Sequence, residues 1–320
     1  LEELRQVKPD YPVEVKAAEI MLADQKYAEA AKWFAKAPKT QLDETAYYQY
    51  IVAEFYSGNA KNALEVARHG LQKYAGSEYL SRLAVMAAVD QNQFPEALTY
   101  SENVMRGKEQ KNYNDYYYYG QALAGNDKFQ EAINAYNKCL EMKPGEVDPL
   151  SKLSAAYAGL GDGDKALDFQ RQYLEKGSNI TSTDWADFAG IYIKMGDQVD
   201  SLDHAKAVGY YTQAMDVYEK MTEKFPTLKD WCWVAEASVA LGKLKDLDKV
   251  RDLYTKVAEY EEAKADKSDA NTKNYLSAAY YFLGYYYAGK NDAETSKSYF
   301  EKLIQIDPEN AEAKKALGLE

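Results

Sequence analysis

A small residue recurs along this chain at nearly constant spacing, and that recurrence limits the possible folds more than any other feature. Ala30, Ala63, Ala97, Ala132 and Ala166 are separated by 33, 34, 35 and 34 residues. Five positions before them stand Gln25, Gly58, Asn92, Asp127 and Gly161. Gly, Asn and Asp tolerate the left-handed backbone that ends many helices; Gln25 departs from that type. A period of roughly 34 residues, broken once per unit by a turn, describes helical hairpins that bury a face only by stacking on their neighbours. The prolines agree, since one inside a helix costs ~3 kcal/mol or more. Pro38, Pro144, Pro226 and Pro308 follow second helices, Pro95 and Pro149 begin helices, and Pro9 and Pro12 precede the first.

The segment from Asn112 to Pro144 reads NYNDYYYYGQALAGNDKFQEAINAYNKCLEMKP. Tyr119-Gly120 leads to Leu123, a turn at Gly125, Asn126 and Asp127, and then Phe129, Ala132, Tyr136 and Pro144. This order resembles the tetratricopeptide repeat, W-x2-L-G-x2-Y followed by A-x3-F and P. Leu283-Gly284, Tyr287, Phe300 and Pro308 repeat it, and Tyr27, Ala30, Phe34 and Pro38 form a second half-unit. The resemblance implies an all-α fold, a right-handed α-α superhelix of antiparallel helix pairs, with about eight units in a single solenoid over residues 1–320. Regular repeats are expected over about 11–178, modified repeats with insertions over about 179–308, and a capping helix over 309–320. In the modified part Trp185, Phe188, Ala189 and Tyr192 mark a first helix, but Gly196 lies eleven residues before Ala207. An insertion in that turn and a longer second helix reaching Pro226 are therefore expected. The next unit begins at Trp231, read as its first core residue, and turns at Gly242; the last turns at Asn291, after a charged stretch from Glu259 to Asn274.

The chain holds 30 tyrosines against 9 phenylalanines and 4 tryptophans. A tyrosine packs its ring while its hydroxyl reaches water or a carbonyl, which suits a thin architecture. The net charge of −12 opposes nucleic acid, which needs a basic stripe, and opposes anionic lipid. No apolar run approaches the ~18 residues of a membrane span, so no direct membrane insertion is expected. Cys139 and Cys232 cannot form a disulfide framework and read as buried thiols. The opening Leu1-Glu2-Glu3, without methionine, and the tyrosine content point to an exported protein of a bacterial periplasm or envelope whose leader is cut away. A cytoplasmic domain is the alternative.

No catalytic or cofactor constellation stands out, and no cofactor or metal is expected. His69 and His204 lack ligand spacing, with Asp203 beside His204 reading as a polar helix pair. Gly159-x-Gly161-x-Gly163 before Lys165 lacks the preceding strand that a phosphate loop needs. No G-x-S-x-G occurs, and nothing distinguishes one carboxylate pair among 51 acids. Trp231 and Trp233 could stack on sugars, and Asn179-Ile180-Thr181 is a glycosylation sequon. The chain therefore reads as a non-catalytic scaffold that binds a partner peptide or protein segment in a concave groove. The alternative is a glycan-binding or envelope-assembly accessory protein of a bacterial surface.

In the tetratricopeptide family the first helices line the groove. That register assigns Tyr48, Tyr56, Tyr79, Arg82, Tyr117 and Gln121 to the protein-binding face, followed by Lys194, Glu236, Tyr281 and Tyr285. The run Tyr116 to Tyr119 covers every direction around a helix, so some of its rings must face outward. Family members that clamp a chaperone's terminal carboxylate place Lys and Asn on the inward sites. Here those sites hold Tyr48 with Val52, Arg82 with Met86 and Tyr117 with Gln121, so no such clamp is expected.

Overall fold

In the computed structural model residue 8, residues 11–266 and residues 268–319 are described. Leu1 to Glu3, Pro9 and Glu320, the last residue assigned to the cap, lie outside them. Among the described residues there is no strand, and seventeen α-helices follow one another. They are α1 Val13–Ala23, α2 Tyr27–Lys36, α3 Glu44–Tyr56, α4 Ala60–Lys73, α5 Glu78–Asp90, α6 Phe94–Arg106, α7 Tyr113–Ala124, α8 Phe129–Met142 and α9 Asp148–Leu160. Then come α10 Gly163–Lys176, α11 Ser182–Val199, α12 His204–Lys224, α13 Lys229–Val239, α14 Leu247–Glu262, α15 Ala270–Gly289, α16 Ala293–Ile306 and α17 Ala311–Ala316. Two compact units result: residues 1–162 hold α1 to α9, and residues 163–320 hold α10 to α17. No helix is long and apolar enough to cross a membrane, among the described residues.

One device closes most hairpins. Gln25, Gly58, Asn92, Asp127, Gly161 and Asn291 all take positive φ, between 54° and 86°. The following amide then reaches back five residues, as in Asn59 N to Glu54 O at 2.9 Å, Gln93 N to Ala88 O at 2.8 Å and Asp292 N to Tyr287 O at 3.0 Å. This bond satisfies a carbonyl that the helix end would leave open. Gln25 adopts the same conformation at the cost of a Cβ clash that glycine avoids. The five recurring alanines all sit on second helices and are each 0% exposed.

A second device joins the paired helices. Gly120, Gly196 and Gly284 let an aromatic ring lie on the first-helix backbone: an added Cβ would stand 2.5 Å from Tyr136, 2.4 Å from Tyr211 and 2.8 Å from Phe300 respectively. Gly196 is thus an interior residue of α11 and not the turn expected there; the chain reverses at residues 200–203, where Asp203 caps α12 through the Lys206 amide. The added residues lengthen both helices, to 18 in α11 and 21 in α12. Gly242 is likewise not the left-handed residue of its turn. It lies in a π-helical segment, Ala240–Leu244, and Lys245 takes φ 56° instead. Trp231 is 38% exposed with its ring edge-on to Tyr218, while Cys232 is 0% exposed. The 3-10 turn Pro226–Leu228 runs directly into α13 and sets a register in which Cys232, Glu236 and Val239 face inward, so the core position falls one residue later than expected.

Candidate binding groove

In the first unit α3, α5 and α7 are successive first helices, each with an N-cap. The side chains of Asp43, Ser77 and Asn112 accept from the amides of Ala46, Leu80 and Asp115. Their buried faces pack into one apolar cluster, and the opposite faces remain open. Tyr48, Tyr56 and Tyr79 are 40%, 58% and 53% exposed. They line a cleft of about 370 Å³ together with Arg82, Met86 and Tyr118. The Tyr56 ring rests on Tyr27 at 5.4 Å, which fixes its direction. A second depression of about 390 Å³, lined by Glu44, Thr45, Tyr48 and Tyr79, adjoins the first across the two shared tyrosines.

Charge in the cleft is largely balanced internally. Arg82 donates from Nε to Asp115 Oδ1 at 2.8 Å and from Nη2 to Asp115 Oδ2 at 3.1 Å and Gln110 O at 3.3 Å. Asp115 raises the guanidinium pKa above its ordinary value, with burial acting the other way. Asp115 also completes a capping box with Asn112 at the start of α7. Beside it Glu78 accepts from the Lys108 amide at 2.6 Å and from Lys111 Nζ at 3.0 Å. Desolvation pushes the Glu78 pKa upward, but Lys111 and the loop amides outweigh it and the pKa is lowered. The α6–α7 loop is therefore tied to α5 by Glu78 and Arg82, and the start of α7 is tied to α5 by Asp115.

Tyr117 is placed differently from Tyr48, Tyr56 and Tyr79. Its ring stacks on Tyr113 at 5.8 Å and meets Tyr136 edge-on at 6.3 Å, and burial raises its pKa. Its neighbour Tyr118 reaches the cleft instead. Gln121 is half-buried one turn further along α7 and is not among the lining residues. Gly120 carries the signal that separates the two tyrosines. It marks the side of α7 on which Tyr136 lies, and Tyr117 and Tyr113, three and seven residues earlier, share that side.

In the second unit Lys194 is exposed on α11. Glu236 on α13 is only 3% exposed and pairs with Lys249 at 2.8 Å. Burial raises the Glu236 pKa and Lys249 opposes the shift. Tyr281 and Tyr285 on α15 are 42% and 41% exposed with rings 5.0 Å apart, and the Tyr285 hydroxyl donates to Glu312 at 2.8 Å. Because Glu236 points inward, these four residues form no continuous stripe. Sequence reasoning missed a cleft of about 520 Å³ lined by residues of α10, α11 and α12, among them Trp185, Phe188 and Tyr192 with charges of both signs, Arg171, Lys220 and Lys224 beside Glu175 and Asp216. Both cysteines are buried, and burial pushes their pKa values up to about 12 for Cys139 and about 11 for Cys232. Among the described residues no three His, Cys, Asp or Glu side chains group as a metal site.

Residues 116–146 and 277–310 match the sequence profile of the tetratricopeptide repeat. No curated protein matches the chain. The C-terminal part of a TPR repeat-containing protein from Cytophaga hutchinsonii is 19% identical, with a TM-score of 0.60 over 84% of this chain and 99% of that one. MamA from Desulfovibrio magneticus RS-1 is 19% identical, with a TM-score of 0.45 over 51% of this chain and 92% of that one. YrrB, described as a TPR protein with an unusual peptide-binding site, is 16% identical, with a TM-score of 0.42 over 55% and 86%. Helix pairs of this geometry, closed by left-handed turns and packed through a glycine and an alanine, define a repeat scaffold. Two segments of the chain match the tetratricopeptide repeat, and the chain shares the fold of the repeat protein from Cytophaga hutchinsonii.

Proposed function

We propose that the cleft of the first unit receives a segment of another polypeptide, and that the protein is a non-catalytic interaction scaffold. The supporting observation is that Tyr48, Tyr56 and Tyr79 stand 40%, 58% and 53% exposed around one concavity instead of being covered by their own fold. Tyrosine offers large contact area with few rotors to freeze and a hydroxyl for peptide carbonyls or amides. Such aromatic positions dominate many interfaces. Arg82 is already held by Asp115, so recognition rests on side-chain anchors and not on a clamped carboxylate. A partner captured by cross-linking from Tyr56 is the starting reagent. Tyr79→Ala should then weaken its binding by ~2 kcal/mol, about 30-fold, while stability moves by no more than ~0.5 kcal/mol. Equal binding by Tyr79→Ala and the parent chain would overturn the assignment.

A further inference from the structure

The two depressions that meet at Tyr48 and Tyr79 differ in charge. The inner one contains Arg82, whose charge is matched by Asp115 at 2.8 and 3.1 Å. Around that pair it offers aromatic, apolar and neutral polar side chains and no free anion. The outer one contains Glu44, half-buried in the first turn of α3, with Thr45 and the two tyrosines. Among the described residues no Lys, Arg or His is paired with Glu44. The amide of Ala46 is already satisfied by Asp43, at 2.8 Å, so the helix start adds little competition for an anion there.

We infer that the outer depression is a subsite for a basic side chain of the bound segment, an arginine or lysine held by Glu44 between Tyr48 and Tyr79. The inference rests on the reading of the cleft as a polypeptide site and adds the chemistry of its occupant. A guanidinium or ammonium gains from a carboxylate and from the faces of aromatic rings together. In the inner cleft the same cation would meet Arg82, and an apolar or aromatic anchor fits there better. Because the two depressions share one pair of rings, their occupants are near neighbours on one face of the segment. That means two residues apart in a strand, or three to four in a helix. The net charge of −12 favours approach of a basic segment through its long-range field.

The test uses an array of synthetic twelve-residue peptides with a fixed phenylalanine anchor and Arg, Gln or Glu placed two, three or four residues away. The full chain should bind Arg peptides about five- to tenfold more tightly than Gln peptides, from a partly exposed ion pair plus cation–π contact. Glu peptides should bind most weakly. Glu44→Gln should erase the preference for Arg while leaving Gln peptides bound as before, and raised salt should narrow the same gap. Equal binding of Arg and Gln peptides, or an Arg preference that survives Glu44→Gln, would overturn the subsite while leaving the cleft reading intact. Binding of none of the peptides, or binding indifferent to Tyr79→Ala, would overturn both.

Discussion

Gly120 and Gly190 both lie inside first helices, yet replacing them should have opposite effects. Alanine is worth about 0.8–1.0 kcal/mol over glycine in a helix interior. At Gly190 an added Cβ meets nothing within 4 Å, so Gly190→Ala should stabilise by about that amount. At Gly120 the methyl would stand 2.5 Å from the Tyr136 ring, itself 1% exposed with nowhere to move. Overpacking of ~1–3 kcal/mol then exceeds the helical gain, and Gly120→Ala should be destabilising in urea unfolding. Glu54 tests a charge in the same way. It is 5% exposed with Oε2 unpartnered, and burial raises its pKa above 4.5 despite help from Asn59, Asn62 and Tyr50. The folded chain thus binds more protons than the unfolded one just above pH 4.5, and its stability falls as pH rises through that window. Glu54→Gln should raise the thermal midpoint at pH 7, and the gain should vanish below pH 4.5, where both states are protonated.

Among the elements, α5 and α7 show what a sequence reveals and what it hides. Helix pairing, the buried alanines and the turns of the regular repeats were legible because each depends on a local property: a methyl at a crossing or a residue that accepts positive φ. Gln25 shows that closure of the hairpin can impose that φ on a residue of another type. The positions of Gly196, Gly242 and Trp231 were not legible. Glycine serves close packing as well as chain reversal, and one 3-10 turn shifts a whole helix by a residue. The exposed tyrosines of α3 and α5 could be placed from register, whereas Tyr117 and Tyr118 differ by which neighbour each meets, and only the packing of α7 on α8 separates them. Tyr117→Ala should therefore cost stability, ~2 kcal/mol or more from the lost packing on Tyr113 and Tyr136, whereas Tyr79→Ala should not. The bond from Arg82 to Asp115 also spans elements, since it pins the first turn of α7 to α5, while Arg82 Nη2 holds the α6–α7 loop at Gln110 O. Arg82→Ala leaves Asp115, its side chain 4% exposed, without its cation, a loss of ~1–3 kcal/mol. Faster amide exchange at residues 107–111 would show the loosened loop.

At the scale of the whole molecule the energetics follow from the stacking of like units. Each hairpin of a repeat array buries its apolar face on the hairpins beside it, so stability approximates a sum of local and nearest-neighbour contributions. In the first unit the apolar cluster runs through consecutive helices from α1 to α7 without one central nucleus. A lesion should then be felt where it is made and fade within about one repeat. Ala132, 0% exposed on α8, gives the sharpest test, since leucine there forces α7 and α8 apart at a cost of ~1–3 kcal/mol. Hydrogen exchange on Ala132→Leu should show reduced protection in α7, α8 and the adjoining α9. Protection in α1 and α2, three repeats earlier in the same unit, should remain at the parent level. A uniform loss from α1 to α9 would mean that the unit opens as one cooperative body, in which neighbour-to-neighbour coupling is strong enough to erase the independence of its repeats.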